Sequence, residues 1–147
     1  MHHRAMPRAA RALACGLLAL VASAARAEEI EFHSELKGAS AVPPTESKAT
    51  GNVSATLDTK TRKFTYTIIY SGLSGPVTAA HFHGPAAPGE NGRAELPVAA
   101  LSLASPIKGH ATLSAGKAAD LVKGLWYLNL HDAAYPTGEI RGQLVRK

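Results

Sequence analysis

Nearly every apolar segment of this chain alternates with period two. Ile30, Phe32, Ser34 and Leu36 interleave with Glu31, His33 and Glu35, and Val53, Ala55 and Leu57 repeat the pattern within residues 51–58. Successive side chains of a strand point to opposite faces, so this spacing specifies half-buried strands and excludes amphipathic helices over the same residues. Phe64 to Tyr70 adds a run rich in β-branched and aromatic residues. Further strands are expected over Val77–His83, Ala94–Val98, Ile107–Leu113, Gly124–His131 and Glu139–Val145. Turn residues separate them: Asp58-Thr59-Lys60-Thr61, Ser74-Gly75-Pro76, the Gly84–Gly92 loop and Tyr135-Pro136-Thr137-Gly138. Ser114 is placed to cap one brief helix, Lys117 to Val122. The pattern predicts an all-β fold, an antiparallel, Greek-key-like β-sandwich of about eight short strands with one short helix.

The N-terminal segment departs from this pattern. Arg4, Arg8 and Arg11 precede an apolar run from Ala12 to Ala24, and Ala25-Arg26-Ala27 is a small-x-small cleavage sequence. Residues 1–27 therefore read as a signal peptide of the Sec type, and 28–147 as one domain, periplasmic or secreted, with no membrane anchor once the leader is removed. Cleavage removes Cys15, the only cysteine, and four of the sixteen Lys and Arg residues, while all eleven acids stay. The mature charge falls to about +1. The basic character of the full chain is a targeting effect and implies no nucleic-acid partner. With neither disulfide nor thiol, burial must hold the domain together.

The residues with most chemical content are His81, His83 and His131. His81 and His83 lie at i and i+2 of one expected strand and so share a face. On the strand ending at His131, Trp126, Leu128 and Leu130 face the core, which leaves Tyr127, Asn129 and His131 on the other side. If the two strands are neighbours, three imidazoles converge. Copper and zinc both accept imidazole nitrogen, and three such ligands leave a position open. Ring nitrogens about 3–4 Å apart would suit a shared ion. Asn129, Glu139 or Asp132 could orient the rings. The competing reading is that each histidine serves loop backbone groups in the Gly84–Gly92 and Pro136–Gly138 segments. His33 and His110 alternate with polar neighbours and read as surface residues. Glu139 and Arg141, two apart, read as a surface ion pair worth about 0.5 kcal/mol. No serine sits in a nucleophile-elbow context. Asn52-Val53-Ser54 matches a glycosylation sequon that matters only in a eukaryotic secretory pathway.

Several of these segments occur together in a recognisable order: Leu36-Lys37-Gly38 through Val42-Pro43-Pro44, Gly51, Ala79 to Pro85, Asn91-Gly92, Tyr127 to His131, and Pro136 to Leu144. The ordered set resembles the CHRD domain family, named after chordin and found in many exported bacterial proteins. Ala41 departs from it, since similar domains often carry an acid there. The resemblance implies an extracytoplasmic β-sandwich acting as a non-enzymatic binding or structural module. It does not imply growth-factor antagonism, which in chordin is tied to cysteine-rich modules. A looser similarity, in fold class and a His-x-His strand, is to copper–zinc superoxide dismutase. It raises the alternative of a copper-dependent redox enzyme, with Arg141 or Arg93 as the guiding charge. A third alternative is a metal-independent protein–protein interaction through a strand edge or the Val42–Pro44 segment.

Overall fold

The computed structural model describes residues 27–147. The export leader expected over residues 1–27 falls, but for Ala27, outside the described residues. Nine strands follow in chain order: β1 (Glu29–Lys37), β2 (Thr50–Asp58), β3 (Lys63–Ser71), β4 (Ala79–His83), β5 (Ala94–Pro97), β6 (Ile107–Thr112), β7 (Tyr127–His131), β8 (Ile140–Gln143) and β9 (Val145–Arg146). One helix, α1 (Ala115–Val122), lies between β6 and β7. It begins two residues before the expected Lys117. Ser114 caps it by accepting the Lys117 N–H, and Ala118 and Leu121 are buried.

All pairings are antiparallel, and eight strands form one continuous path, β5-β4-β7-β8-β1-β2-β3-β6, with β9 added beside β1. The fold is therefore all-β as expected, and its hydrogen bonding is continuous. The two facing layers are halves of one curled sheet. Aromatic contacts prove the curl. β4 and β3 are five strand positions apart in that path, which in a flat sheet is about 24 Å. Yet Phe82 of β4 meets Phe64 and Tyr66 of β3 with ring centroids 5.2 and 5.0 Å apart. The arrangement is consistent with a Greek-key-like sandwich.

Burial follows the alternation strand by strand. In β1 the inward set is Ile30, Phe32, Ser34 and Leu36, and in β2 it is Val53, Ala55 and Leu57. Phe64, Tyr66, Phe82 and Trp126 make the centre of the core, with Trp126 6.0 Å from Phe64 in an edge-to-face contact. β7 and β8 are the exceptions, because both of their faces are buried: Tyr127, Leu128, Asn129 and Leu130 of β7 are all enclosed, as are Ile140, Arg141 and Gly142 of β8. Their inner faces meet the core, and their outer faces lie beneath the loop from Gly84 to Gly92, which bonds to Tyr127, Arg141 and Gln143.

That loop is held by its backbone. Gly84 N–H donates to Arg93 O at 3.0 Å and Ala86 N–H to Leu125 O at 2.9 Å. The Gln143 amide donates to Ala86 O at 2.9 Å, and the Asn91 amide to Val42 O at 3.1 Å.

Phe82 carries no exposed surface and touches both layers. Phe82→Ala should destabilise the fold by about 3–5 kcal/mol, read from urea unfolding. A loss below about 1 kcal/mol would mean that the layers are not joined through this ring.

Candidate metal centre

β4 pairs with β7 in a register that sets Ala79 opposite His131, His81 opposite Asn129 and His83 opposite Tyr127. Residues opposed across a ladder share a face, so His81, His83, Tyr127, Asn129 and His131 all lie on the outer side. The three imidazoles gather there. His81 lies 5.7 Å from His83 and 5.4 Å from His131 between ring centroids, and His83 lies 6.3 Å from His131. One ring nitrogen from each is within 4.8 Å of the other two. Around a tetrahedral ion such nitrogens stand roughly 3.4 Å apart, so closure needs movements of roughly 1.4 Å or less.

Two backbone carbonyls orient two of the rings. Nδ1 of His83 is 3.0 Å from Gly92 O, and Nδ1 of His131 is 3.0 Å from Pro136 O. A carbonyl only accepts, so each Nδ1 must carry the hydrogen. In the neutral ring the lone pair then resides on Nε2. Both Nε2 atoms are buried and have no hydrogen-bond partner.

The turn delivering Pro136 O depends on Gly138. Its φ is +120°, and a Cβ there would come 3.0 Å from the Asn129 amide. Gly92 serves two rings at once. Its carbonyl accepts from His83 and also from the Tyr127 hydroxyl at 3.2 Å, while its N–H donates to that hydroxyl at 2.9 Å. Tyr127 in turn stacks on His83, at 5.0 Å and 8°.

The other residues singled out in the sequence sit elsewhere. Asn129 is opposite His81 but makes no hydrogen bond to His83 or His131, whose orienting partners are main-chain oxygens. Glu139 points into a separate network, where it accepts the Ser47 hydroxyl at 2.6 Å and the Ser74 hydroxyl at 3.0 Å. Asp132, one residue beyond His131, is buried and accepts the Tyr135 N–H at 2.7 Å. The expected surface ion pair between Glu139 and Arg141 does not form, and both residues are buried. Glu139 precedes β8, so strand alternation does not govern it, and the loop covers the face that Arg141 occupies. Arg141 lies 3.5 Å over the Tyr127 ring and donates to Glu90 O and Asn91 Oδ1. Arg93 is paired with Glu95. His33 and His110 are exposed, as expected of surface residues. The sequence reading missed Gly92 as a shared acceptor and Ser47 and Ser74 as partners of Glu139. Both depend on loop placement, which carries no residue-level pattern.

The chain belongs to the CHRD domain family, whose model matches residues 32–144. A comparison with curated proteins finds no match, and neither does one with solved structures. Family membership supports a non-enzymatic module. Among the described residues no helix is long and apolar enough to cross a membrane.

Burial lowers the pKa of His81, helped by the nearby His131. Burial also lowers that of His83, against the opposing hydrogen bond to Gly92, with smaller contributions from His81, His131 and Arg141. Both rings therefore bind protons less readily than in the unfolded chain, where they titrate near 6.5. As pH falls from about 6.5 to the depressed folded values, the unfolded state takes up more protons and stability declines; below that window the contribution of these two rings levels off. Measured with a chelator present, the urea midpoint should fall across this range. His81→Ala/His83→Ala should flatten the curve. A midpoint that rises with acidification contradicts the arrangement.

Proposed function

We propose that this protein is an exported, non-enzymatic CHRD module that binds one transition-metal ion, copper or zinc, through His81, His83 and His131. One observation carries the reading. In His83 and His131 the Nδ1 hydrogen is committed to a carbonyl, and the Nε2 lone pair is buried without a partner. A buried acceptor left unsatisfied costs about 1–3 kcal/mol, and two within one cluster of imidazoles are hard to account for structurally. A bound ion would satisfy both, and its coordination would include His81 as the third nitrogen.

The donor set favours particular metals. Three imidazoles and no carboxylate suit copper or zinc and do not suit calcium or magnesium, which take oxygen ligands. Metal-ligating histidines characteristically donate their second ring N–H to an acceptor, and Gly92 O and Pro136 O fill that role here. The alternation of the sequence and the β4–β7 register support the same face for all three rings. The leader read in residues 1–27 and the CHRD assignment favour a site of action outside the cytoplasm. Of the two arginines considered as a guiding charge, Arg93 is paired with Glu95 and Arg141 is buried against the Tyr127 ring, so neither favours the redox-enzyme alternative.

Calorimetric titration with Cu²⁺ and Zn²⁺ tests the proposal. One equivalent should bind, and His81→Ala, His83→Ala and His131→Ala should each weaken it at least tenfold. His33→Ala and His110→Ala should leave it unchanged. Equal binding by the native protein and the His81→Ala/His83→Ala variant would end the metal reading.

A further inference from the structure

Arg141 is the one buried cation whose charge the fold leaves unmatched among the described residues. The residue is 2% exposed and forms no ion pair with any described carboxylate. The contrast with Glu95 is direct. Glu95 is also buried, and it is met by both Arg93 and Lys117. An arginine cannot escape its desolvation cost by losing its proton, so the environment must compensate the charge.

The compensation here is partial. The Tyr127 ring covers one face of the guanidinium at 3.5 Å. Two neutral oxygens accept from its terminal nitrogens, Glu90 O at 2.7 Å and Asn91 Oδ1 at 3.3 Å. A guanidinium has five N–H donors, so donor capacity remains.

Arg141 also lines a cavity of about 330 Å³ between the segment from Ala39 to Pro44 and the tip of the Gly84–Gly92 loop. Its walls are largely apolar, formed by Ala39, Ala41, Val42, Pro44 and Pro88. That volume is at the small end of the range for ligand sites, roughly 300–1,000 Å³.

We propose that this cavity binds a small monocarboxylate with a short apolar body. The carboxylate would meet Arg141, and the hydrocarbon part would lie against the alanine and proline walls. A carboxylate can accept from the N–H donors that Glu90 O and Asn91 Oδ1 leave over, and it carries the single negative charge that the site lacks. A phosphate dianion would need more cations and donors than these walls supply. The site stands apart from the imidazoles, with the Tyr127 ring between Arg141 and His83, and it does not depend on metal binding.

The test is titration of the chelator-treated, ¹⁵N-labelled protein with isovalerate and with benzoate. Saturable shifts are expected at Ala39, Ala41, Gly89 and the Arg141 Nε–H. Isovaleramide, of the same shape without the charge, should bind at least tenfold more weakly. Arg141→Gln should lose binding to the same degree. Because that change also disturbs the Tyr127 stack, Ala39→Trp provides a second variant: residue 39 is exposed and lines the cavity, so the indole would occupy the cavity while Arg141 itself and its stack on Tyr127 are left unaltered. It should abolish binding while keeping the native dispersion of the spectrum. Equal response to acid and amide, no saturation at millimolar acid, or undiminished binding by Ala39→Trp would each overturn the proposal.

Discussion

The antiparallel register between β4 and β7 is the constraint on which the site depends. With Ala79 opposite His131 and His83 opposite Tyr127, three imidazoles from two strands occupy one face. The same register sends Ala80, Phe82, Leu128 and Leu130 into the core. The gathering of the imidazoles and the stability of the core are thus locked together. A one-residue slip of β7 would bury His131 in the aromatic cluster and expose Leu130, and the hydrophobic cost of that exchange forbids it.

The loop from Gly84 to Gly92 adds a second layer of order. It roofs the outer face of β7, and that roof turns an ordinary strand surface into an enclosed polar layer. Most polar groups there find partners: Tyr127 with Gly92, Arg141 with Glu90 and Asn91, Gln143 with Ala86. The exceptions are informative because buried polar atoms are normally paired. Nε2 of His83 and of His131 are two such exceptions, and both belong to the same cluster of three imidazoles. The orienting acceptors are main-chain oxygens. The tautomer is therefore set by loop conformation and does not depend on a carboxylate side chain.

Alternation made much of this legible in advance. Even Ser34, polar in an apolar row, is buried as its position in β1 requires. The shared face of His81 and His83 and the side taken by His131 followed from the same rule. Strand adjacency did not, because period two specifies a face and carries no information about the neighbouring strand. Nor does it say whether a face is covered. Glu139 and Arg141 were read as a solvated pair for that reason, and the loop and the Ser47–Ser74 network place them in two separate buried environments. The curling of one continuous sheet into two layers was equally hidden, since it depends on contacts such as Phe82 with Phe64.

The central claim is that the fold holds two unprotonated Nε2 atoms, each without a partner, within one cluster of imidazoles. Long-range ¹H–¹⁵N correlation spectra of the metal-free protein above neutral pH report the tautomer of each imidazole directly. His83 and His131 should both be Nδ1–H tautomers with unprotonated Nε2. An Nε2–H tautomer at either residue, or a mixture like that of free histidine, would contradict the account.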